Sequence, residues 1–312
     1  MNSKPLETKK LFGMSHYFNE IINLYNNNKM PNKILISGKK GLGKSTLAYH
    51  IINYIFSLNE DHKYNIDQFQ IDGENRSYKL LKNQSHPNFY LIDLLDEKKS
   101  IDVAQIRQMI TYANKSSFNN MSRFILIDNV ENLNNNSVNA LLKIIEEPNE
   151  GIFFILINNN EKKILPTLKS RCMIFKIFFT FDQSINIASQ LVGKDIFEII
   201  NYELINHYIS PGEIINLINF ANTKKINLLD YNLFDLLSLL IDNTYYKKNK
   251  NVKKIIINLI EVFFLKKYQL SKKKISFYIF YQNFLNKISY TEKFNLDEDS
   301  LFLEFKSKLL NE

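Results

Sequence analysis

Ile34-Leu35-Ile36-Ser37-Gly38-Lys39-Lys40-Gly41-Leu42-Gly43-Lys44-Ser45-Thr46 is the stretch that decides the fold. The apolar triplet reads as a strand, the glycine-rich run as a turn, and the chain from Lys44 to about Phe56 as a helix. Strand, turn and helix in that order are the context of a P-loop. Gly38, Gly41 and Gly43 let the backbone turn tightly and aim N–H groups at phosphate oxygens. Lys44 is expected to reach the β- and γ-phosphates, and Ser45 to lend its hydroxyl to Mg²⁺. The helix opening at Lys44-Ser45-Thr46 adds its N-terminal N–H groups and dipole. ATP and Mg²⁺ are therefore the expected cofactors; a glycine turn that holds no nucleotide is the alternative.

Phe124-Ile125-Leu126-Ile127-Asp128 is a second decisive run. Four apolar residues together suggest a strand buried on both faces, as in a parallel sheet. Asp128 at its end is the expected second contributor to the Mg²⁺ site, or else a carboxylate that caps a turn. Asn129 stands where a water-activating glutamate is expected. A neutral amide orients water but cannot accept its proton, so hydrolysis is expected to be slow or absent. Glu131 is a weaker candidate for a replacement base, offset by two residues.

Further strands are expected at Phe89–Ile92 and Ile152–Ile157, and helices at 6–30, 101–114 and 134–146, the first stopped by Pro31 and the last by Pro148. Strands alternating with helices over about 170 residues imply a three-layer α/β domain. The amides Asn158 and Asn159 follow the last strand, and Asn158 is a candidate for sensing a γ-phosphate or holding water. Residues 57–85 carry no clear pattern. Three domains are expected: a nucleotide-binding α/β domain over 1–178, a small helical domain over 179–225 broken at Ser210-Pro211-Gly212, and a helical domain over 226–312. The last should contain helices near 232–245, 251–267, 273–287 and 297–310.

Composition narrows the classes. The 312 residues are 45% hydrophobic and 23% charged, enough for two or three globular domains with real cores. The apolar runs are short and interrupted, so no membrane span is expected, and the N-terminus lacks the apolar stretch of a secretory signal. One cysteine, Cys172, excludes an internal disulfide and a multi-cysteine zinc site and fits a reducing compartment, with a cytoplasmic location expected. Cys172 reads as a small packing residue rather than a nucleophile. The net charge of +8, from 40 basic and 32 acidic residues, would aid approach to nucleic acid. The lysine- and asparagine-richness of an AT-rich coding sequence explains the same excess.

Leu165-Pro166-Thr167-Leu168-Lys169-Ser170-Arg171-Cys172 sets an arginine after a turn. On spacing alone, Arg171 either reaches the γ-phosphate held by a neighbouring subunit as an arginine finger or forms a salt bridge within its own domain.

Several segments together carry a family resemblance. Asp128-Asn129-Val130-Glu131-Asn132-Leu133, Asn139-Ala140-Leu141-Leu142-Lys143-Ile144-Ile145-Glu146-Glu147-Pro148 and Ser170-Arg171-Cys172 resemble the clamp-loader branch of the AAA+ ATPases. Within that branch they are similar to the delta-prime family of bacterial DNA polymerase III. Leu11-Phe12-Gly13, Met30-Pro31, His86-Pro87 and Ile106-Arg107 fit the same branch. The resemblance is specific over about residues 10–175 and rests on helical character alone beyond 225. It implies an AAA+ P-loop domain followed by a helical lid and a helical collar. The implied partners are other clamp-loader subunits in a hetero-pentameric ring, a sliding clamp, and primer–template DNA bound without sequence specificity. It also implies that Arg171 acts in trans on a neighbour's ATP. Many relatives carry a cysteine-based zinc module after the P-loop, and this chain has no cysteine there. The competing readings are the ATP-hydrolysing motor subunit of the same machine and an unrelated P-loop ATPase such as a helicase loader.

Overall fold

The computed structural model describes residues 4–95, 98–115, 121–247, 250–270, 274–294 and 296–307. They group into two compact units, Asn2–Phe179 and Thr180–Glu312.

The first unit is built on five parallel strands: β1 (Lys33–Ser37), β2 (Phe89–Ile92), β3 (Arg123–Ile127), β4 (Ile152–Asn158) and β5 (Met173–Lys176). Their order across the sheet is β2-β3-β4-β1-β5. Side chains alternate between two apolar layers, as the period of two requires. Ile34, Ile36, Phe124, Leu126, Ile155 and Ile157 pack on one face with α1 (Ser15–Asn26), α2 (Lys44–Ser57) and α3 (Arg76–Lys82). Leu35, Ile125, Ile127, Phe154 and Leu156 pack on the other with α4 (Val103–Ala113) and α5 (Asn135–Glu146). The expected three-layer α/β architecture is thus present. All five residues of β3 are buried; each of the four apolar ones, Phe124 to Ile127, contributes roughly 1.5–3 kcal/mol by leaving water.

Three differences from the sequence reading have physical causes. The first helix is shorter than 6–30, because Gly13 turns the backbone at φ 67° and the preceding Lys10 pairs with Gln70 instead. Strand β5 was not expected. It is an edge strand with only Phe175 buried, so its sequence lacks the continuous apolar run of a central strand. Residues 57–85 are ordered by a polar network. Glu60 accepts from the backbone N–H groups of Arg76 and Ser77, at 3.0 and 3.1 Å, across the opening of α3. Buried Asn75 caps the same helix through the Tyr78 N–H at 2.6 Å and ties it to α2 through Asn53 at 2.9 Å. The His86 ring stacks on Phe56 at 4.0 Å. Together these contacts close the segment by hydrogen bonding and ring packing.

The second unit is helical: α7 (Phe181–Val192), α8 (Pro211–Lys224), α9 (Leu233–Asp242), α10 (Lys250–Leu270), α11 (Lys274–Phe294) and α12 (Glu298–Phe305) follow the four-residue α6 (Pro166–Lys169) of the first unit. Thr180 with Gln183, and Ser210 with Glu213, form capping boxes that start α7 and α8. One apolar cluster runs from Ala188 to Phe305, so the helices on either side of residue 225 share a core. No helix among the described residues is long and apolar enough to cross a membrane.

Candidate functional site

The C-terminal ends of parallel strands are where an open α/β sheet gathers ligands, and the polar residues of this unit collect there. The loop from β1 to α2 turns at Gly41 and Gly43, both at φ 84°, in the left-handed region that glycine occupies without steric cost. Gly38 is needed for a different reason. A Cβ there would lie 2.4 Å from the Ile177 carbonyl oxygen, and its own N–H donates to the Asn158 carbonyl at 3.2 Å. The start of α2 has no side-chain cap and no acidic residue in its first turn, which leaves Lys44, Ser45 and Thr46 at an uncapped positive helix end.

Lys44 is only 2% exposed and donates its Nζ to the Lys39 carbonyl at 2.7 Å. Burial lowers its pKa to about 8, opposed chiefly by the charges of Asp128 and Glu131. The Ser45 hydroxyl donates to Asp128 Oδ2 at 2.5 Å, while the Asn129 N–H donates to Asp128 Oδ1 at 2.8 Å. Burial raises the Asp128 pKa to about 6 and nearby Asp93 adds to this, against the hydrogen bond from Ser45. A cation among these oxygens would reverse that penalty. The Ser45 hydroxyl and a carboxylate side by side are the donor set of a hard divalent ion.

Asn129 adopts φ 57°, a left-handed conformation that asparagine tolerates better than most residues. Both ends of its amide are engaged. Nδ2 donates to Asp93 Oδ1 at 2.6 Å, and Oδ1 accepts from Asn159 Nδ2 at 2.9 Å. The Asn159 N–H in turn donates to both oxygens of buried Glu131, each at 3.2 Å. Glu131 therefore serves as an acceptor that ties the end of β4 to the turn after β3. Asn158 lies beside the loop through its register with Ser37 in the sheet. Its amide is held locally, with Nδ2 donating to Asn160 Oδ1 at 2.7 Å and to Ser37 Oγ at 3.1 Å.

The structure thus brings together Gly38, Gly41, Gly43, Lys44, Ser45, Thr46, Asp128 and Asn158. Arg171 belongs to a separate surface feature. Its Nε and Nη2 donate to Glu146 Oε1 at 2.8 and 2.6 Å, and its Nη1 donates to the Thr167 carbonyl at 2.9 Å. The salt-bridge alternative for this residue accordingly describes the lone chain. Cys172 is half-buried, and burial pushes its thiol up to about 11, away from a nucleophile's range.

Sequence reasoning missed Asp93, which follows Ile92 at the end of β2 as Asp128 follows Ile127 at the end of β3. That parallel was the available signal. It also missed the amide relay through Asn159, which depends on β3 and β4 being neighbours.

A P-loop on β1, with β4 inserted between it and β3, the strand that ends at Asp128, defines an AAA+-type P-loop α/β unit. The family described as DNA polymerase III, delta subunit, matches residues 13–179, and the chain belongs to that family. A DNA polymerase III subunit delta' of Buchnera aphidicola subsp. Schizaphis graminum is 32% identical over 161 residues, covering 51% of this chain and 47% of the relative. A DNA polymerase III subunit gamma of the same organism is 31% identical over 193 residues, covering 61% and 50%. The resemblance to the delta-prime family is borne out. The chain spans about half the length of these relatives. Among solved structures, a gamma-subunit-related protein of Thermotoga maritima is 16% identical and covers 84% of this chain and 76% of its own, with a TM-score of 0.40.

Proposed function

We propose that this chain is a clamp-loader subunit that binds ATP·Mg²⁺, turns it over poorly, and lends Arg171 to the ATP site of an adjacent subunit. Gly38, Gly41, Gly43, Lys44, Ser45 and Thr46 would hold the phosphates, with Asp128 and Ser45 at the Mg²⁺ and Asn158 near the γ-phosphate. Bound Mg²⁺ would neutralise charge on the phosphate oxygens. The ring partners, the sliding clamp and the primer–template junction belong to the same reading, supported by the family and by the net charge of +8. Lid and collar roles for residues 179–225 and 226–312 are part of it.

The observation that carries poor turnover is the state of the carboxylates around Asp128. Asp93 accepts from the Asn129 amide and from the Leu94 N–H. Glu131 accepts from the Asn159 N–H. Position 129 itself is an amide. The position after Asp128, where a water-activating carboxylate is expected, therefore holds a group that cannot take a proton from water.

The test combines the purified chain with the reconstituted complex. The chain is expected to bind ATP·Mg²⁺ by calorimetry, to lose that binding on Lys44→Ala, and to show negligible turnover. Arg171→Ala should leave binding intact while the adjacent site loses about 10²-fold or more of its turnover. Turnover by the lone chain at motor-ATPase rates would refute the poor-hydrolysis reading and favour the motor subunit. An unchanged complex would refute the trans role.

A further inference from the structure

The contact between Glu146 and Arg171 is more specific than an ordinary surface ion pair. Glu146 is the last residue of α5, and Arg171 follows α6, 25 positions later. A carboxylate at a helix C-terminus faces the negative end of the helix dipole, an unfavourable placement. Helix formation in α5 therefore does not account for a glutamate there. Stability gives little reason either. Arg171 and Glu146 keep 37% and 50% of their side-chain surface, and exposed pairs contribute about 0–1 kcal/mol.

The geometry does account for it. A guanidinium has five N–H donors in a fixed plane. Glu146 Oε1 takes one from Nε and one from Nη2, and the Thr167 carbonyl takes one from Nη1. Three contacts to two oxygens of the protein set the plane of the group. One N–H remains on each terminal nitrogen, two donors available to phosphate oxygens. A long, four-rotor side chain is thereby oriented before any phosphate arrives, which lowers the ordering cost of the encounter.

We propose that Glu146 is the positioning residue for Arg171. It fixes the guanidinium by its Nε edge so that the terminal N–H groups meet a phosphate of the neighbouring subunit's nucleotide. The proposal rests on the trans role of Arg171 given above.

Complexes reconstituted with wild-type chain, Glu146→Ala, Glu146→Gln, Arg171→Ala and the Glu146→Ala/Arg171→Ala double variant test it. Glu146→Ala is expected to lower kcat about 3- to 10-fold, with KM for ATP unchanged, through lost pre-organisation. The melting temperature of the chain should hardly move. Glu146→Gln keeps a carbonyl oxygen for Nε and should recover most of the rate. The double variant should be no slower than Arg171→Ala alone, because residues acting through one group are not additive. Wild-type kcat in Glu146→Ala, alongside a slow Arg171→Ala, would overturn the positioning role and leave the trans role standing. Multiplying effects in the double variant would overturn it too. A silent Arg171→Ala would overturn both.

Discussion

Replacing Asn129 by glutamate, the obvious way to supply the absent base, sets a second carboxylate against Asp93. In the present structure Asp93 Oδ1 accepts from the Asn129 amide at 2.6 Å, and Asp93 is half-buried. The substitution removes a charge-assisted hydrogen bond, a loss of about 1.5–3 kcal/mol. It brings two like charges to roughly 4 Å, a repulsion of about 4 kcal/mol at an effective dielectric constant near 20. Backbone at φ 57° adds about 1 kcal/mol when asparagine is lost. Reorientation of the longer side chain and protonation of one carboxylate relieve part of the sum, so a net loss of about 3–5 kcal/mol is expected. Exchanging the pair, Asp93→Asn with Asn129→Glu, restores an amide facing a carboxylate and should leave only the backbone cost of about 1 kcal/mol. Urea unfolding of the wild type, both single variants and the double variant closes a thermodynamic cycle, with a coupling of at least about 2 kcal/mol expected. The pH dependence has a definite sign. Repulsion raises the folded-state pKa of the variant pair above its unfolded value, so the deficit of Asn129→Glu should be full at pH 8 and shrink toward pH 5. Of the variants, the exchanged pair alone is expected to gain turnover. An additive cycle, with Asn129→Glu costing only its backbone term at both pH values, would refute the reasoning.

Two further outcomes concern stability. Gly38→Ala drives a Cβ to 2.4 Å from the Ile177 carbonyl, backbone against backbone, and should destabilise the first unit by about 1–3 kcal/mol in denaturant melts; a wild-type midpoint would show that the β1–β5 edge yields easily. Burial lowers the pKa of His50 and of His86 to about 4, so each stays neutral in the fold while the unfolded chain protonates near 6.5. Stability from these two groups is full above about pH 6.5 and should fall as pH drops toward 4, by about 2–3 kcal/mol for each. Unfolding midpoints that stay flat from pH 7 to pH 4.5 would contradict this.

The legible parts of the molecule were those whose physics is local. Phe124–Ile127 announced a strand buried on both faces, and Gly41 and Gly43 supplied the left-handed backbone that a phosphate loop needs. The illegible parts depended on neighbours. β5 is an edge strand formed by parallel pairing with β1, from Ile34 opposite Met173 to Ser37 opposite Lys176. Residues 57–85 are held by side-chain contacts between residues 17 and 22 positions apart, from Glu60 to Ser77 and from Asn53 to Asn75. For Gly38 the sequence offers only the tight turn, since only the packed strand shows the carbonyl that excludes a side chain.

By itself, the sequence determined the P-loop, the aspartate at the end of β3, the amide at position 129 and the arginine at 171, because residue type and spacing carry those facts. Only the tertiary structure decided what those residues meet. Asn129 finds Asp93 on β2 and Asn159 after β4, and Arg171 finds Glu146 at the end of α5. These partners lie 36, 30 and 25 positions away. Hydrogen bonds act over about 3 Å, so their pairing is set by strand order and helix packing, which no local pattern encodes.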